Sequence, residues 1–159
     1  MSEELYLRNR QRARAVDLRL LRKIAVALLR EFIALKKFEL GIHLVEPAEI
    51  TRLNETYLGH AGSTDVITFN YLSRPSDSEV HGEIFICVAE AVAQARRFDT
   101  TWSAEVVRYV VHGVLHLIGY DDLTQPVRRK MKREEDRLFE ELAGRFALSK
   151  LARTPKLSR

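Results

Sequence analysis

Cysteine is almost missing from this 159-residue chain. Cys87 is the only one, so no disulfide can form within the chain, and a reducing compartment fits. Its place at the end of the apolar run Gly82-Glu83-Ile84-Phe85-Ile86-Cys87 suits a buried strand end better than a reactive thiol. Long apolar runs are also missing: none approaches the roughly 20 residues of a membrane span. The short Leu5-Tyr6-Leu7 stretch gives way at once to arginines, so no secretory leader is recognisable and a cytoplasmic protein without membrane association is expected. There is no internal repeat. Aromatic residues are few among the basic stretches, which leaves no evident platform for stacking single-stranded bases.

What is present is enough for one core. Hydrophobic residues make up 46% of the chain, sufficient for one good domain and too little for two. The net charge of +4 hides an uneven distribution. Residues 8–23 carry seven basic side chains against one acid, and residues 127–159 carry eleven against five. Between them, residues 24–126 carry eight against fourteen. Two basic ends around an acidic middle suit contact with a polyanion such as RNA through the ends rather than the middle. A solvated helix face and a basic tail would produce the same counts.

The most specific stretch is His112-Gly-Val-Leu-His116-Leu-Ile-Gly119-Tyr-Asp-Asp122. Positions four apart lie on one face of a helix, so His112 and His116 can touch one ion. Gly119 can adopt the positive-φ conformation that ends a helix, and the returning chain brings Asp122 to the same ion. Three protein ligands leave a fourth position for water, as in a catalytic rather than a structural zinc site. A solvated stripe is the alternative, because Glu105, Arg108, Tyr109, His112 and His116 fall on one side of an otherwise apolar helix. The offsets of Gly119 and Asp122 favour the metal. Residue 113 then separates two chemistries. In HExxH peptidases the residue after the first histidine is the glutamate that accepts the proton from water, and here it is Gly113.

The stretch resembles the HGxLHLxGYDH signature of the YbeY family of bacterial metal-dependent endoribonucleases and rRNA maturation factors. Leu53-Asn54, Thr64-Asp65-Val66-Ile67-Thr68-Phe69 and Gly82-Glu83-Ile84-Phe85-Ile86 resemble that family's LN, TDVLSF and GDIVI segments, so the similarity runs in order from about residue 38 to 122. Two positions depart from it. Asp122 stands where the family usually has a third histidine; a carboxylate binds zinc at a similar distance, but its charge makes bound water less acidic and the site more tolerant of manganese or iron. Leu58 follows Tyr57 where the family usually has an arginine, the side chain suited to clamping phosphate. His60, in a Gly-His-Ala-Gly loop, and Arg108 are candidates to compensate; their ordinary roles are a solvated imidazole and a surface ion pair with Glu105 at i,i+3.

The resemblance implies one zinc or other divalent transition metal per chain, held by His112, His116 and Asp122, and a single-strand endoribonuclease acting in late rRNA maturation. Small-subunit (16S) 3′-end processing and ribosome quality control would be its setting, with precursor rRNA and the ribosome or small subunit as partners. The alternative is a non-catalytic RNA- or ribosome-binding maturation factor with a structural metal, which the loss of the arginine favours. A metallopeptidase is disfavoured by Gly113. No general base stands out: Asp121 can orient a histidine or shape the turn, and Asp65 and Glu83 sit at strand entrances.

The expected fold is α+β, one domain over residues 1–147 with a mixed sheet, packed helices and a central metal-binding helix, followed by a basic tail over 148–159. Strands are expected at 5–8, 38–45, 65–71 and 83–87, with a polar loop over 73–81. His43 is a strand side chain and His81 an exposed one. Helices are expected from Asp17, which caps the run Leu18, Leu21, Ile24, Ala25, Leu28, Leu29, Phe32, from Pro47, over 89–98, from a Thr101 or Ser103 cap, and from a Thr124 cap with Pro126 in the first turn. Val127, Met131, Leu138 and Leu142 stripe the last one, where Met131 is a packing residue rather than the floor of a metal site.

Overall fold

The computed structural model describes residues 3–60 and 62–153. Alternating apolar residues make the strands, and the period of 3.6 makes the helices. In chain order they are β1 (Glu3–Arg10), α1 (Leu18–Ala27), β2 (Lys37–Val45), α2 (Pro47–Leu53), β3 (Val66–Asn70), β4 (Glu79–Cys87), α3 (Val88–Phe98), α4 (Trp102–Leu117) and α5 (Gln125–Arg145). Both α1 and α2 end in a π-helical turn, over Leu28–Phe32 and Asn54–Leu58. Asp17 caps α1 by accepting from the Leu20 amide at 3.1 Å. Thr101 caps α4 by accepting from Ala104 at 3.2 Å. Thr124 precedes α5 but makes no capping hydrogen bond through its side chain.

The sheet runs β1-β2-β4-β3, with β1, β2 and β4 parallel and β3 antiparallel at the edge. Register puts Leu7, Ile42, Ile84 and Thr68 in one row across it. Phe38, Leu40, Ile42 and Leu44 of β2 face the helices, together with Leu5, Val80, Ile84 and Ile86. The opposite face carries a smaller cluster of Val45, Ile67, Phe85 and Cys87, covered by Ile50 of α2. This is the mixed-sheet α+β domain that the sequence pattern predicts.

Helix α4 lies at the centre, packed against α1, α3, α5, β3 and β4. Val106, Val107, Val110, Val111 and Val114 are fully buried. Its approach to the sheet depends on Gly113: a Cβ there would lie 2.8–3.1 Å from three atoms of the Ile84 side chain. The residue after the first histidine therefore points into the core, where a glutamate would have neither room nor access to water.

Three expectations need correction. Strands β1 and β4 are longer than predicted, because Glu3, Glu79 and His81 join the ladder without contributing apolar alternation. The loop thus ends at Ser78; His81 is exposed as expected, 3.5 Å from Glu39 on β2. The expected tail is in part folded. Leu148–Leu151 form a 3₁₀ turn whose two leucines are buried, the Leu151 carbonyl accepts from Asp17 at 2.9 Å, and Ala152 bridges Val16. Residues 148–152 therefore pack on the domain, and residues 154–159 lie outside the described residues.

Gly113→Ala is expected to destabilise the protein by about 1–2 kcal/mol, overpacking outweighing the helix-propensity gain of alanine. Denaturant unfolding should show a smaller loss in an Ile84→Val background. Additive effects would mean that the two positions do not meet.

Candidate metal centre

His112 and His116 lie one turn apart on α4, with side chains 27% and 26% exposed. After Leu117 the chain leaves the helix by a double closure: Gly119 N–H donates to the His116 carbonyl at 3.1 Å and Tyr120 N–H to Leu115 at 3.0 Å. This is the Schellman pattern, and it needs the positive φ that Gly119 adopts at 108°. The turn does two further things. It places the Tyr120 carbonyl 3.1 Å from His116 Nδ1, and it returns Asp122 so that its Oδ2 lies 3.8 Å from His116 Nε2. One ligand atom from each of His112, His116 and Asp122 lies within 4.8 Å of the other two.

The imidazole protons are placed by outer partners. Glu135 Oε1 is 2.7 Å from His112 Nδ1, and the Tyr120 carbonyl faces His116 Nδ1. Both acceptors are oxygens, so both Nδ1 atoms donate and both Nε2 atoms present lone pairs. Those lone pairs face each other at 3.1 Å. Only a further proton or a cation reconciles them. Burial and the neighbouring His112 hold the His116 imidazole below its ordinary pKa, against the opposing pull of Asp122. A cation fits: two nitrogens about 2.0–2.1 Å from one tetrahedral zinc lie about 3.3 Å apart.

Glu135 is the residue of the candidate site that the sequence reading missed. It belongs to α5, 23 positions beyond His112, and its side chain is only 8% exposed. Burial raises its pKa, but hydrogen bonding and charge from His112, with Lys132 and Arg108, bring it below the usual carboxylate range. The signal was its position between Met131 and Leu138 on the buried stripe of α5: a carboxylate there must meet a partner from the core side. Met131 is a packing residue, as expected. Val127, expected on the same stripe, is 36% exposed.

Arg108 does not pair with Glu105, which accepts instead from the Thr100 hydroxyl at 2.8 Å. Its Nη1 lies 3.2 Å from Glu135 and 2.7 Å from Asp136, and it covers the Phe139 ring at 4.2 Å. Asp121 shapes the turn by accepting from the Leu123 amide at 3.0 Å. His60 and Leu58 are exposed, and neither lines the cleft beside the centre. That cleft, about 260 Å³, is bordered by Asp65, Tyr109, Arg108, Arg128, Lys132 and Glu135 together with His112 and Asp122. Glu83 is on the opposite face of the sheet, accepting from His43 at 2.8 Å and from the Tyr71 hydroxyl. His43 itself is buried and stacked on Phe85 at 4.4 Å.

A helix with two histidines, a glycine closure and a returning carboxylate, set beside a mixed sheet, brings together the donor types of a candidate metal site. Comparison with known proteins gives the family. Residues 6–143 match the family model of endoribonuclease YbeY, and the chain belongs to that family. Proteins named endoribonuclease YbeY from Salinibacter ruber and Chlorobium luteolum are 37% and 38% identical over 103 and 109 residues. Those matches cover 61% and 64% of this chain and 66% and 77% of the relatives, so the chain spans about two thirds of the first. The solution structure of TM1509 from Thermotoga maritima has the same fold, with a TM-score of 0.67, 24% identity and coverage of 98% of this chain and 99% of that one.

The Tyr109 hydroxyl is buried with no partner among the described residues, and burial with the nearby Asp65 raises its pKa. Tyr109→Phe should therefore raise the unfolding free energy by about 1 kcal/mol. A loss of that size in a thermal or denaturant melt would show that the hydroxyl is bonded in solution.

Proposed function

We propose that this chain is a metal-dependent endoribonuclease of rRNA maturation, with His112, His116 and Asp122 as the ligands of one divalent ion, zinc by the chemistry of the donor set. The observation that carries the reading is the pair of facing Nε2 lone pairs, whose outer nitrogens are already committed to Glu135 and Tyr120. When bound, the ion supplies Lewis acidity that acidifies water and offsets charge on a phosphoryl oxygen. The chain's own residues do the rest. Glu135 fixes the His112 ring and its tautomer, and the Tyr120 carbonyl does the same for His116. Arg108 and Lys132 hold Glu135 in its ionised form. The cleft between α4, the start of β3 and the first turns of α5 gives a polynucleotide access to the centre. The substrate is precursor ribosomal RNA, at the small-subunit 3′ end, in the cytoplasm and on or near the ribosome. No helix among the described residues is long and apolar enough to cross a membrane.

A second reading, an RNA- or ribosome-binding factor with a structural metal, is favoured by Leu58. Nothing supports a peptidase, since Gly113 packs on Ile84.

The test is cleavage of a structured ribosomal RNA fragment by nuclease-free protein, with metal analysis of each preparation. His116→Ala and Asp122→Ala should lose both metal and cleavage while staying folded. Glu135→Gln should weaken metal binding about 10–100-fold in a chelator competition. Persistent cleavage by metal-free, folded variants would end the nuclease reading at this centre, and RNA binding without cleavage by the wild type would favour the second one.

A further inference from the structure

Three cations border the cleft beside the metal centre, and they are not equivalent. Arg108 is engaged by Glu135 and Asp136. Lys132 lies 3.5 and 3.1 Å from the same two carboxylates. Arg128 has no carboxylate partner among the described residues. Its Nε donates to the backbone carbonyl of Asp122 at 3.2 Å, which ties the guanidinium to the residue offering the third ligand and leaves its Nη fork uncommitted.

A fork of this kind matches two non-bridging oxygens of a phosphate. Anchoring its Nε in advance reduces the side-chain entropy lost on binding. The surroundings have the right sign as well: Gln125–Arg133 contain five basic residues and no acid, at the N-terminal, electropositive end of α5. The basic C-terminal stretch therefore reaches the site itself. Neither substitute considered for the arginine missing at Leu58 fills the role, since His60 does not line the cleft and Arg108 is saturated with acids.

We propose that Arg128 is the phosphate-binding residue of this cleft, holding an RNA phosphodiester against the metal centre through its Nη atoms. The proposal rests on the endoribonuclease reading and deepens it: the clamp enters from the first turn of α5 rather than from the segment after α2.

The experiment uses the full, metal-loaded chain and two readouts. One is binding of a single-stranded 2′-O-methyl RNA oligonucleotide followed by fluorescence anisotropy across a salt series; the other is cleavage of the unmodified RNA. Arg128→Ala should weaken binding about tenfold or more and lower the slope of log K against log salt by about 0.7, with metal content unchanged. Arg128→Lys should restore the slope but only part of the affinity. Arg96→Ala, a charge-matched control on α3, should change affinity less than about twofold. If Arg128→Ala binds and cleaves like a wild type that is itself active, the Arg128 proposal is wrong and the endoribonuclease reading stands. Loss of metal from Arg128→Ala would also overturn it, assigning the residue to positioning Asp122. A wild type that neither binds nor cleaves RNA would overturn both.

Discussion

Two imidazole Nε2 atoms turned toward each other at 3.1 Å require a proton or a cation between them. That constraint organises the site. Each ring is prevented from turning by a hydrogen bond at its far nitrogen, one from α5 and one from the turn that ends α4. Rotation would relieve the repulsion but break those bonds. A cation satisfies both rings without moving either, and Asp122 supplies the negative charge that a divalent ion attracts.

The rigidity behind this arrangement comes from packing. Helix α4 is buried along most of its length and approaches the sheet closely where Gly113 meets Ile84. On its other side Glu135, Asp136, Arg108 and Lys132 form one connected ion network. A buried carboxylate such as Glu135 is costly unless each oxygen is engaged. Here one oxygen takes His112 and the other takes Arg108 and Lys132, so the network that orients the His112 ring also keeps its carboxylate ionised.

Much of this was legible in the sequence because it is local. The HxxxH spacing, the Gly119 closure and the Asp17 and Thr101 caps all act within a few residues, and alternation or a 3.6 period marked the strands and helices. What was not legible is tertiary. Glu135 and Arg108 are polar residues whose partners lie on another helix, so a local rule paired Arg108 with Glu105 instead. Leu148 and Leu151 are too few to show a period, yet they pack into the core and extend the domain. Arg128 reads as one cation in a basic run, and only the fold shows that it borders the cleft, where the other two cations, Arg108 and Lys132, are paired with carboxylates.

The most direct measurement is anomalous diffraction from a crystal grown with the metal present. The account requires a single peak per chain, about 2.0–2.2 Å from His112 Nε2, His116 Nε2 and an oxygen of Asp122, with Glu135 and the Tyr120 carbonyl still on the two Nδ1 atoms. An ion bound elsewhere, or coordinated through Nδ1 with Asp122 turned away, would contradict it.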